Sequence, residues 1–285
     1  MSSSDLLLPR TTFPPAGADV TCAVSGGADS LALLVLACAA GCRATAVHVD
    51  HGLRPEAADE AALVAAAAER LGAGFRVERA PVERGPNLEA RARAARFGVL
   101  PADVLTGHTA DDQAETVLLN LLRGAGIDGL SGMGAGRHPI IALRRSETRA
   151  LCAEVGLTPA RDPSNDDLAF RRNRVRHELL PLLNDVAERD VAALLARQSD
   201  LLREDAAFLD ALAEAIDPTD ARALAAAPAP LARRAIRSWL RGEHPPPAAA
   251  VERVLAVARG EATATDVGSG RRVARSGQRL RIECH

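Results

Sequence analysis

The chain has 285 residues, of which 47% are apolar and 2% aromatic, and its formal net charge is −2. This length and composition favour one or two folded domains and exclude a disordered chain, and because all 35 basic residues are arginines a catalytic lysine is also excluded. Five irregularly spaced cysteines indicate a reducing compartment, and no apolar run approaches the about 20 residues of a membrane span, so we expect a cytoplasmic protein with no membrane partner.

The first predicted elements are a strand, a glycine-containing turn and a helix. Residues 1–18 are expected to form a loose N-terminal lead-in because they contain several prolines. The apolar run Val20–Val24 predicts a strand, and Leu31–Ala40 predicts a buried helix. Between them, the glycines of Ser25–Ser30 let backbone amides approach an anion, and the helix adds the positive end of its dipole. We therefore predict a nucleotide phosphate site at this turn.

Strands and helices continue to alternate as far as residue 122. This alternation predicts right-handed βαβ units, and thus an α/β fold whose Rossmann-like parallel sheet has helices on both faces. Ligands of such sheets lie at the carboxyl ends of the strands, where the sequence places His48, Asp50, His51 and the polar run His108–Thr116. Further strands are predicted at 44–49, 75–77 and 104–106, and further helices at 57–71, 88–97 and 110–122.

The second half of the chain predicts a change of organisation near residue 184. We expect a lead-in over 1–18, an α/β domain over 19–184, and a smaller, mainly helical domain with short C-terminal strands over 185–285. The glycine-rich segment 123–134 is either a mobile flap over the site or a plain linker. The remaining predicted elements are a last strand at Pro139–Ile141, a turn at 162–165, and helices at 146–155, 171–183 (interrupted at Pro181), 186–216, 229–240 and 247–258.

The turn Ser25–Ser30 fits neither GxxxxGK[ST] nor GxGxxG. Its pattern Ser-Gly-Gly-x-Asp-Ser resembles the loop of the N-type ATP pyrophosphatases, the PP-loop superfamily, which cut ATP between the α- and β-phosphates. The resemblance implies that amides of Gly26 and Gly27 hold the pyrophosphate and that Asp29 helps to bind Mg²⁺. A turn that merely precedes a buried helix is the alternative. The implied ATP-binding set is Ser25, Gly26, Gly27, Ala28, Asp29, Ser30, His48, Asp50 and His51.

Later motifs narrow the resemblance to one family. The order of these motifs is similar to that of the tRNA(Ile)-lysidine synthetases over about residues 20–183. That family adenylates C2 of the wobble cytidine in a tRNA(Ile) with a CAU anticodon, and free L-lysine then displaces AMP through its ε-amine. The motifs are His48-Val-Asp50-His51-Gly-Leu-Arg54, Asn87-Leu-Glu-Ala-Arg91-Ala-Arg93, Gly107-His108-Thr-x-Asp111-Asp112-Gln113-x-Glu115-Thr116, Arg123-Gly-Ala-Gly126-x-x-Gly129-Leu130, Arg161-Asp-Pro-Ser-Asn165 and an Arg-Asn-Arg-Val-Arg run.

The chain departs from this family's pattern at two positions. His138 stands before Pro139–Ile141 where arginine is common, and Ala160 stands where an aromatic residue often precedes the turn at 162–165. Both positions lie outside the ATP motifs, so the departures concern local contacts rather than the activity.

The polar run after the fourth strand supplies candidates for lysine chemistry. A carboxylate cluster there can hold a metal or the ammonium groups of lysine, although acidic residues also simply stabilise a helix N-terminus. The ε-amine of lysine has a reference pKa of about 10.4, so His108 or a nearby aspartate must take its proton. The catalytic candidates are Asp29, His108, Asp111 and Asp112, and the lysine-binding candidates are Asp111, Asp112 and Glu115.

Two arginine clusters are candidates for contacts with tRNA phosphates, the alternative being solvated helix faces. The expected partners are tRNA(Ile) with a CAU anticodon and free L-lysine, with ATP and Mg²⁺ as cofactors, and a homodimer is left open. The tRNA-binding candidates are Arg91, Arg93, Arg171, Arg172, Arg174 and Arg176.

Other functions can use the same loop. A PP-loop tRNA thiolase usually needs paired cysteines or an iron–sulfur cluster, and Cys-x-x-Cys is absent from the sequence. An amidotransferase-type synthetase needs a glutaminase domain, for which we expect no room. A non-catalytic ATP-binding protein has no need for the polar run His108–Thr116. Pyrophosphate release that requires both tRNA and lysine would separate these functions from lysidine synthesis.

Overall fold

The computed structural model describes residues 3–52, 57–82, 85, 88–160, 166–242 and 245–284, without the side chains of residues 57, 58, 88–90 and 93. The chain forms two compact units, Met1–Leu201 and Leu202–His285. The first unit runs past residue 184, and the domain boundary predicted there stays a prediction. The predicted turn at 162–165 lies outside the described residues, as do Asn87, Arg54 and the side chain of Arg93.

A four-stranded parallel sheet forms the centre of the first unit, which confirms the predicted fold class. The strand order is β3-β2-β1-β4, so the chain adds β2 and β3 on one side of β1 and then returns to place β4 on the other. Parallel sheets bind ligands where the strand order reverses in this way, which here is the crevice between β1 and β4. The strands are β1 (Asp19–Ala23), β2 (Arg43–Asp50), β3 (Gly74–Arg79) and β4 (Leu105–Thr106).

Helices flank this sheet. The helix Ala28–Ala39 is apolar on nearly every side, and it is buried from Ser30 to Ala37 against the strands. No helix among the described residues is long and apolar enough to cross a membrane. The helices that lie in or begin in the first unit are α1 (Ser3–Leu7), α2 (Ala28–Ala39), α3 (Ala57–Arg70), α4 (Leu88–Val99), α5 (Ala110–Leu122), α6 (Ile127–Leu130), α7 (Arg145–Glu154), α8 (Arg171–Arg174), α9 (Leu180–Ala187) and α10 (Val191–Glu214), with a π-helical stretch at Val175–Leu179 just before Pro181.

The N-terminal segment is not the loose lead-in that its prolines suggested. Leu7, at the end of α1, is buried in the core of the sheet. Pro9 lies in the first turn of a short 3-10 helix, where its missing N–H is not needed. Arg10 then forms an ion pair with Glu147 of α7 and donates to the carbonyl oxygen of Ala142 at 2.7 Å. Long-range contacts therefore order a segment that has little local preference for regular structure.

The predicted strand Pro139–Ile141 is a turn, so this prediction was wrong. The amide of Ile141 donates to the carbonyl of His138 at 3.0 Å, and the amide of Leu143 donates to that of Ile140 at 2.9 Å. Ile140 and Leu143 are fully buried in the core that contains α2. The apolar residues are therefore buried by a tight turn and not by pairing with the sheet.

The predicted helix 186–216 is interrupted. α9 ends at Ala187, and Glu188 has a φ of 50° in the left-handed region. The Asp190 carboxylate then accepts a hydrogen bond from the Ala192 amide at 3.1 Å and caps the start of α10. The helical periodicity of the apolar residues continues across this break, which is why the sequence did not reveal it.

The second unit packs short helices against a small antiparallel sheet, as the composition predicted. Its core includes Leu224, Ile236, Val254 and Val273. The first of its helices was not predicted, because its alanines show no apolar pattern, and the Asp220 carboxylate caps it. The elements are α11 (Ala221–Ala226), α12 (Ala229–Leu240), α13 (Ala248–Arg259), β5 (Ala264–Gly268), β6 (Arg271–Ser276) and β7 (Arg279–Cys284).

Candidate active site

The turn after β1 is shaped by hydrogen bonds among its own residues. Gly26 has a φ of +87°, a conformation that favours glycine. The Ser30 hydroxyl accepts a hydrogen bond from the Ser25 amide at 3.2 Å and donates to the Gly27 carbonyl at 2.9 Å. Gly27 also precedes the first residue of α2, so the first amides of the helix lie directly at the turn. Amides at a helix start have no partner within the helix and can bind an anion.

α2 begins at Ala28, earlier than the predicted Leu31, so Asp29 and Ser30 belong to its first turn. Gly107, directly after β4, lets this turn come close to the neighbouring strand. A Cβ atom at position 107 would lie 2.6 Å from the carbonyl oxygen of Asp29 and 2.9 Å from the Cα of Ser30. Only glycine therefore fits at 107 without displacing the start of α2.

Three polar residues at or just after the end of β2 make hydrogen bonds there, and those of the two histidines reach the ends of neighbouring strands. His48 is buried, and its Nδ1 donates to the carbonyl oxygen of Val24 at 3.1 Å, just before the turn. His51 Nδ1 lies 3.0 Å from the carbonyl oxygen of Ala80. Asp50 accepts a hydrogen bond from the Gly52 amide at 2.8 Å. All three also reach the cleft described next.

A cleft of about 1180 Å³, the active-site cleft, lies at the carboxyl ends of β1, β2 and β4. It brings together two motifs that are far apart in the sequence. Its volume exceeds the roughly 300–1,000 Å³ of a typical small-molecule site, so it has room for a nucleotide and part of a second substrate. The predicted site residues that line it are Ser25, Gly27, Ala28, Asp29, Ser30, His48, Asp50, His51, His108, Asp112 and Arg176.

Asp29 lies in this cleft among polar partners. Thr148 of α7 donates a short hydrogen bond to its carboxylate, and Arg145 Nε lies 3.4 Å away on the other oxygen. Burial raises the pKa of the Asp29 carboxyl, and the negative charge on Asp112 raises it further. The ionised form of Asp29 is therefore costly, and a cation beside it would be stabilising.

Asp111 and Asp112, adjacent in α5, face different arginines. Arg144 donates to both Asp111 oxygens, at 2.9 and 3.1 Å, and the Arg145 amide donates at 2.7 Å. Asp112 accepts from Arg145 at 3.0 Å and from Arg172 at 2.9 Å. Burial alone would raise the pKa of Asp112, but the charges of Arg145 and Arg172 lower it to about 2. Both aspartates are therefore ionised and already paired.

Glu115 is fully buried one turn further along α5, and three guanidinium groups meet on its carboxylate. Arg172 and Arg176 each donate to it at 2.7 Å, and Arg145 does so at 3.2 Å. Burial opposes the charge of Arg145, yet the surrounding carboxylates, first Asp112 and then Glu115, raise its pKa. Glu115 thus joins α5, α7 and α8 with the π-helical stretch that follows it through one set of charges.

The structure divides the predicted tRNA-binding arginines into two groups. Arg172 and Arg176 lie on the carboxylates of α5, whereas Arg91, Arg171 and Arg174 have exposed side chains. Arg174 also pairs with Glu178 one turn away. The predicted lysine-binding residues differ too, since Asp112 lines the active-site cleft and the described lining does not include Asp111 or Glu115.

A second polar cluster lies at the end of β4. The Thr106 hydroxyl is 2.7 Å from His108 Nδ1 and 2.6 Å from His138 Nδ1. The two Nδ1 atoms are themselves 3.2 Å apart, and the rings meet edge to face. His138, one of the two departures from the family pattern, therefore touches the predicted general base.

Sequence reasoning missed the basic half of this site. Arg144 and Arg145 immediately precede the predicted helix 146–155, and Thr148 lies in its first turn, but none of them received a role. The adjacent pair of arginines was the available signal, since it follows a buried apolar turn and must reach a counter-charge. Thr106 carried a weaker signal, as a polar residue in an otherwise apolar strand.

Comparison with known proteins identifies the family. A model of the PP-loop domain matches residues 9–183. The tRNA(Ile)-lysidine synthase of Nocardia farcinica is 48% identical over 246 residues, which cover 80% of this chain and 77% of the relative. That of Rhodococcus erythropolis is 44% identical over 78% of this chain and 73% of the relative. The chain belongs to the tRNA(Ile)-lysidine synthase family. This confirms the resemblance drawn from the motifs.

Among solved structures, the U34-tRNA thiolase NcsA from Methanococcus maripaludis, solved with its [4Fe-4S] cluster, is similar with a TM-score of 0.54. It is 15% identical and covers 70% of this chain and 78% of its own. At that identity the similarity shows a common fold and nothing about activity. Every residue named above in the active-site cleft falls within 9–183, so the cleft of this tRNA(Ile)-lysidine synthase family member belongs wholly to its PP-loop domain.

Proposed function

We propose that the chain is an ATP-dependent carbon–nitrogen ligase that converts the wobble cytidine of CAU-anticodon tRNA(Ile) into lysidine. ATP adenylates the cytidine at C2 with release of pyrophosphate, and the ε-amine of free lysine then displaces AMP, which changes codon reading from AUG to AUA. One observation carries the proposal: the active-site cleft brings the turn Ser25–Ser30 and the start of α5 together inside the matched segment 9–183.

The turn is the ATP side of the site. Amides at Gly26 and Gly27, with those at the start of α2, suit the phosphates, and the Ser25 and Ser30 hydroxyls add donors. His48 and His51 hold the strand ends on which the turn is built. The family's use of ATP supports this assignment.

Asp29 is the residue that would hold Mg²⁺. It is a buried carboxylate in the cleft whose ionised form a cation would stabilise, which fits a Mg²⁺ ion. No group of three His, Cys, Asp or Glu side chains suited to a metal occurs among the described residues, so phosphate oxygens would have to complete the coordination. Mg²⁺ usually binds in this way, and when bound it neutralises phosphate charge during transfer.

The start of α5 is the lysine side. The ε-amine attacks C2 with its lone pair, the C2–O bond breaks as AMP leaves with the oxygen and the bonding electron pair, and the amine loses a proton that His108 accepts as general base. Asp111, Asp112 and Glu115 form the lysine-binding set. Asp112 presents its carboxylate to the cleft, whereas the other two hold the arginines beside it.

The exposed arginines are the proposed tRNA side. Arg91 on α4, and Arg171 and Arg174 on α8, are assigned to phosphates, because a guanidinium that faces solvent can meet a phosphate without breaking a buried ion pair. Arg93, whose side chain lies outside the described residues, is assigned with them from its motif alone. Arg172 and Arg176 would contact phosphates only by leaving Glu115. A cytoplasmic location and a homodimer stay predictions, the latter for sedimentation velocity to test.

The decisive experiment incubates the protein with unmodified CAU-anticodon tRNA(Ile), ATP and labelled lysine. We expect label in the tRNA and one pyrophosphate released per lysine incorporated. A tRNA with a changed wobble base is the matched control and should take up no label. Folded protein that leaves the CAU tRNA unlabelled would contradict the proposal, and transfer of sulfur to the tRNA in a parallel reaction with an added sulfide donor would favour the thiolase.

A further inference from the structure

Two imidazole rings meet at one hydroxyl group beside the active-site cleft. The Oγ1 of Thr106, His108 Nδ1 and His138 Nδ1 form a triangle with sides of 2.7, 2.6 and 3.2 Å. The ring centroids are 4.6 Å apart, and Thr106 is only 7% exposed. The Thr106 hydroxyl also lies 3.4 Å from the carbonyl oxygen of Arg137, which is farther than either ring nitrogen, so the two rings are its nearest partners.

Counting hydrogens limits the states of this triangle. A threonine hydroxyl carries one hydrogen, and both Nδ1 atoms lie closer to it than the Arg137 carbonyl oxygen does, so Thr106 donates to one Nδ1 atom and accepts from the other. One ring must then carry its hydrogen at Nδ1 while the other keeps a lone pair there. If both rings were protonated, two N–H groups with like charge would face each other across 3.2 Å. The pair is therefore suited to one added proton and resists a second.

The surrounding charges favour His108 as the ring that becomes positive. Asp112 of α5 interacts electrostatically with His108, and Arg145 of α7 offsets part of that negative charge from 3.0 Å. On the other side, Arg137 directs its guanidinium away, towards the carbonyl oxygen of Ala102 at 3.3 Å and the ring of Phe97. His108 lines the cleft, whereas the described lining does not include His138.

We propose that His138 is a positioning residue for His108. His138 Nδ1 accepts the Thr106 hydroxyl hydrogen, Thr106 accepts the Nδ1 hydrogen of His108, and Nε2 is thereby made the basic nitrogen of His108. A proton lost by an attacking amine goes to Nε2, and the pair changes from neutral to a single positive charge. The proposal rests on the proposed function only for the identity of that amine.

Nuclear magnetic resonance of the folded protein tests the triangle without any turnover. In ¹⁵N-histidine-labelled protein, long-range ¹H–¹⁵N spectra distinguish the two tautomers, and His108→Gln and His138→Gln assign the signals. We expect His108 in the Nδ1–H form, His138 in the Nε2–H form, and two proton uptakes of the pair separated by more than about one pH unit. Thr106→Val should replace the two fixed tautomers by a mixture of forms at each ring, Thr106→Ser should restore them, and Thr21→Val in β1 is the control. Independent titration of both rings in the unmodified protein, or His108 in the Nε2–H form, would overturn the proposal.

Turnover supplies the second test. A general acid or base accelerates a reaction by about 10²–10⁴-fold. A residue that only positions such a group accounts for part of this acceleration, so His138→Gln should lower kcat about tenfold. The KM for ATP should stay within about twofold, because the turn is not touched. His138→Gln should also alter the acid limb of the pH–rate profile, and Arg137→Gln, in the same segment, should not. A His138→Gln profile that matches the unmodified enzyme in height and shape refutes the positioning role. An unmodified protein that shows the coupled titration but incorporates no lysine into the CAU tRNA would instead contradict the proposed function while supporting the hydrogen-bonded triangle.

Discussion

Replacing Glu115 by glutamine tests whether one buried carboxylate holds this site together. Glu115→Gln keeps the shape of the side chain and removes the negative charge on which Arg145, Arg172 and Arg176 converge. These arginine side chains are 15%, 28% and 22% exposed, and that of Glu115 is 0% exposed, so water can replace little of the lost interaction. The variant leaves three positive charges close together with too few counter-charges.

The loss of unfolding free energy in Glu115→Gln depends on the counter-charges that remain near the three arginines. Breaking a buried ion pair by removing one partner costs about 3–5 kcal/mol. Asp112 still faces Arg145 at 3.0 Å and Arg172 at 2.9 Å, but it lies 3.9 Å from Arg176. Because part of the counter-charge survives, we expect a value near the lower end, about 3 kcal/mol. For a unit of this size, that corresponds to a decrease of about 6–12 °C in the melting midpoint.

Thermal and urea unfolding followed by circular dichroism measure this loss. The matched control is Glu178→Gln, which removes a glutamate paired with Arg174 at 2.8 Å, where the side chains are 45% and 62% exposed. Exposed pairs one helical turn apart contribute about 0.5 kcal/mol or less, so this variant should hardly change the midpoint. If Glu115→Gln lost less than about 1 kcal/mol, or no more than the control, the shared carboxylate would not be what joins these helices.

Three further predictions follow from particular positions. The pKa of Asp112, held at about 2, is below its unfolded value, so the stability that Asp112 contributes is present above about pH 4 and is lost as the pH falls towards 2. Asp112→Asn should therefore reduce by about 2 kcal/mol the loss of unfolding free energy over this acid range, as measured by urea unfolding. An unchanged dependence of the unfolding free energy on acid pH would contradict this. Gly107→Ala should lower the free energy of unfolding by about 1–3 kcal/mol and raise the KM for ATP, because the new Cβ would lie 2.6 Å from the Asp29 carbonyl oxygen in the first turn of α2. Gly98→Ala in α4, where the new Cβ would meet open space, should be neutral or stabilising. Equal effects of the two substitutions in melting and kinetic assays would refute the close approach. Affinity for tRNA should fall steeply with salt in filter-binding assays, and Arg171→Gln and Arg174→Gln should each reduce the slope of log K against log salt by about 1; a flat salt response removes the phosphate role from both.

The parts of the fold that local sequence determines were predictable. The strand, turn and helix around Ser25–Ser30 follow from an apolar run, glycines and a second apolar run, and only the start of α2 differed by more than one residue. The position of His108 at the end of β4 followed from strand alternation, since carboxyl ends of parallel strands share one edge. Local sequence preference gave the wrong secondary structure where contacts with distant residues determine the conformation. At Pro139–Ile141, for example, the apolar run predicted a strand, but its apolar residues are buried in a turn.

The partners of the charged residues could not be predicted in this way. Arg145 lies 33 residues from Asp112 and 116 from Asp29, so no helical spacing links them. The same holds for His138, which is 30 residues from His108 and was visible only as a departure from the family's pattern. A side chain's charge indicates that it needs a counter-charge or water, but the tertiary fold decides which of the two it meets.

The arginine run at 171–176 illustrates this limit. Arg172 and Arg176 are four residues apart and share one helical face. Asp112 and Glu115 are three residues apart and share a face of another helix. The sequence therefore predicts each charged face, but not that the two faces meet. The fold places these two faces together, and the run therefore divides: one half neutralises buried carboxylates, and Arg171 and Arg174 face solvent. The sequence showed four arginines without an acid and favoured tRNA for all of them. The burial of Glu115 leaves that role first to the exposed pair, because recruiting the other two for phosphates would leave a buried carboxylate without its counter-charges.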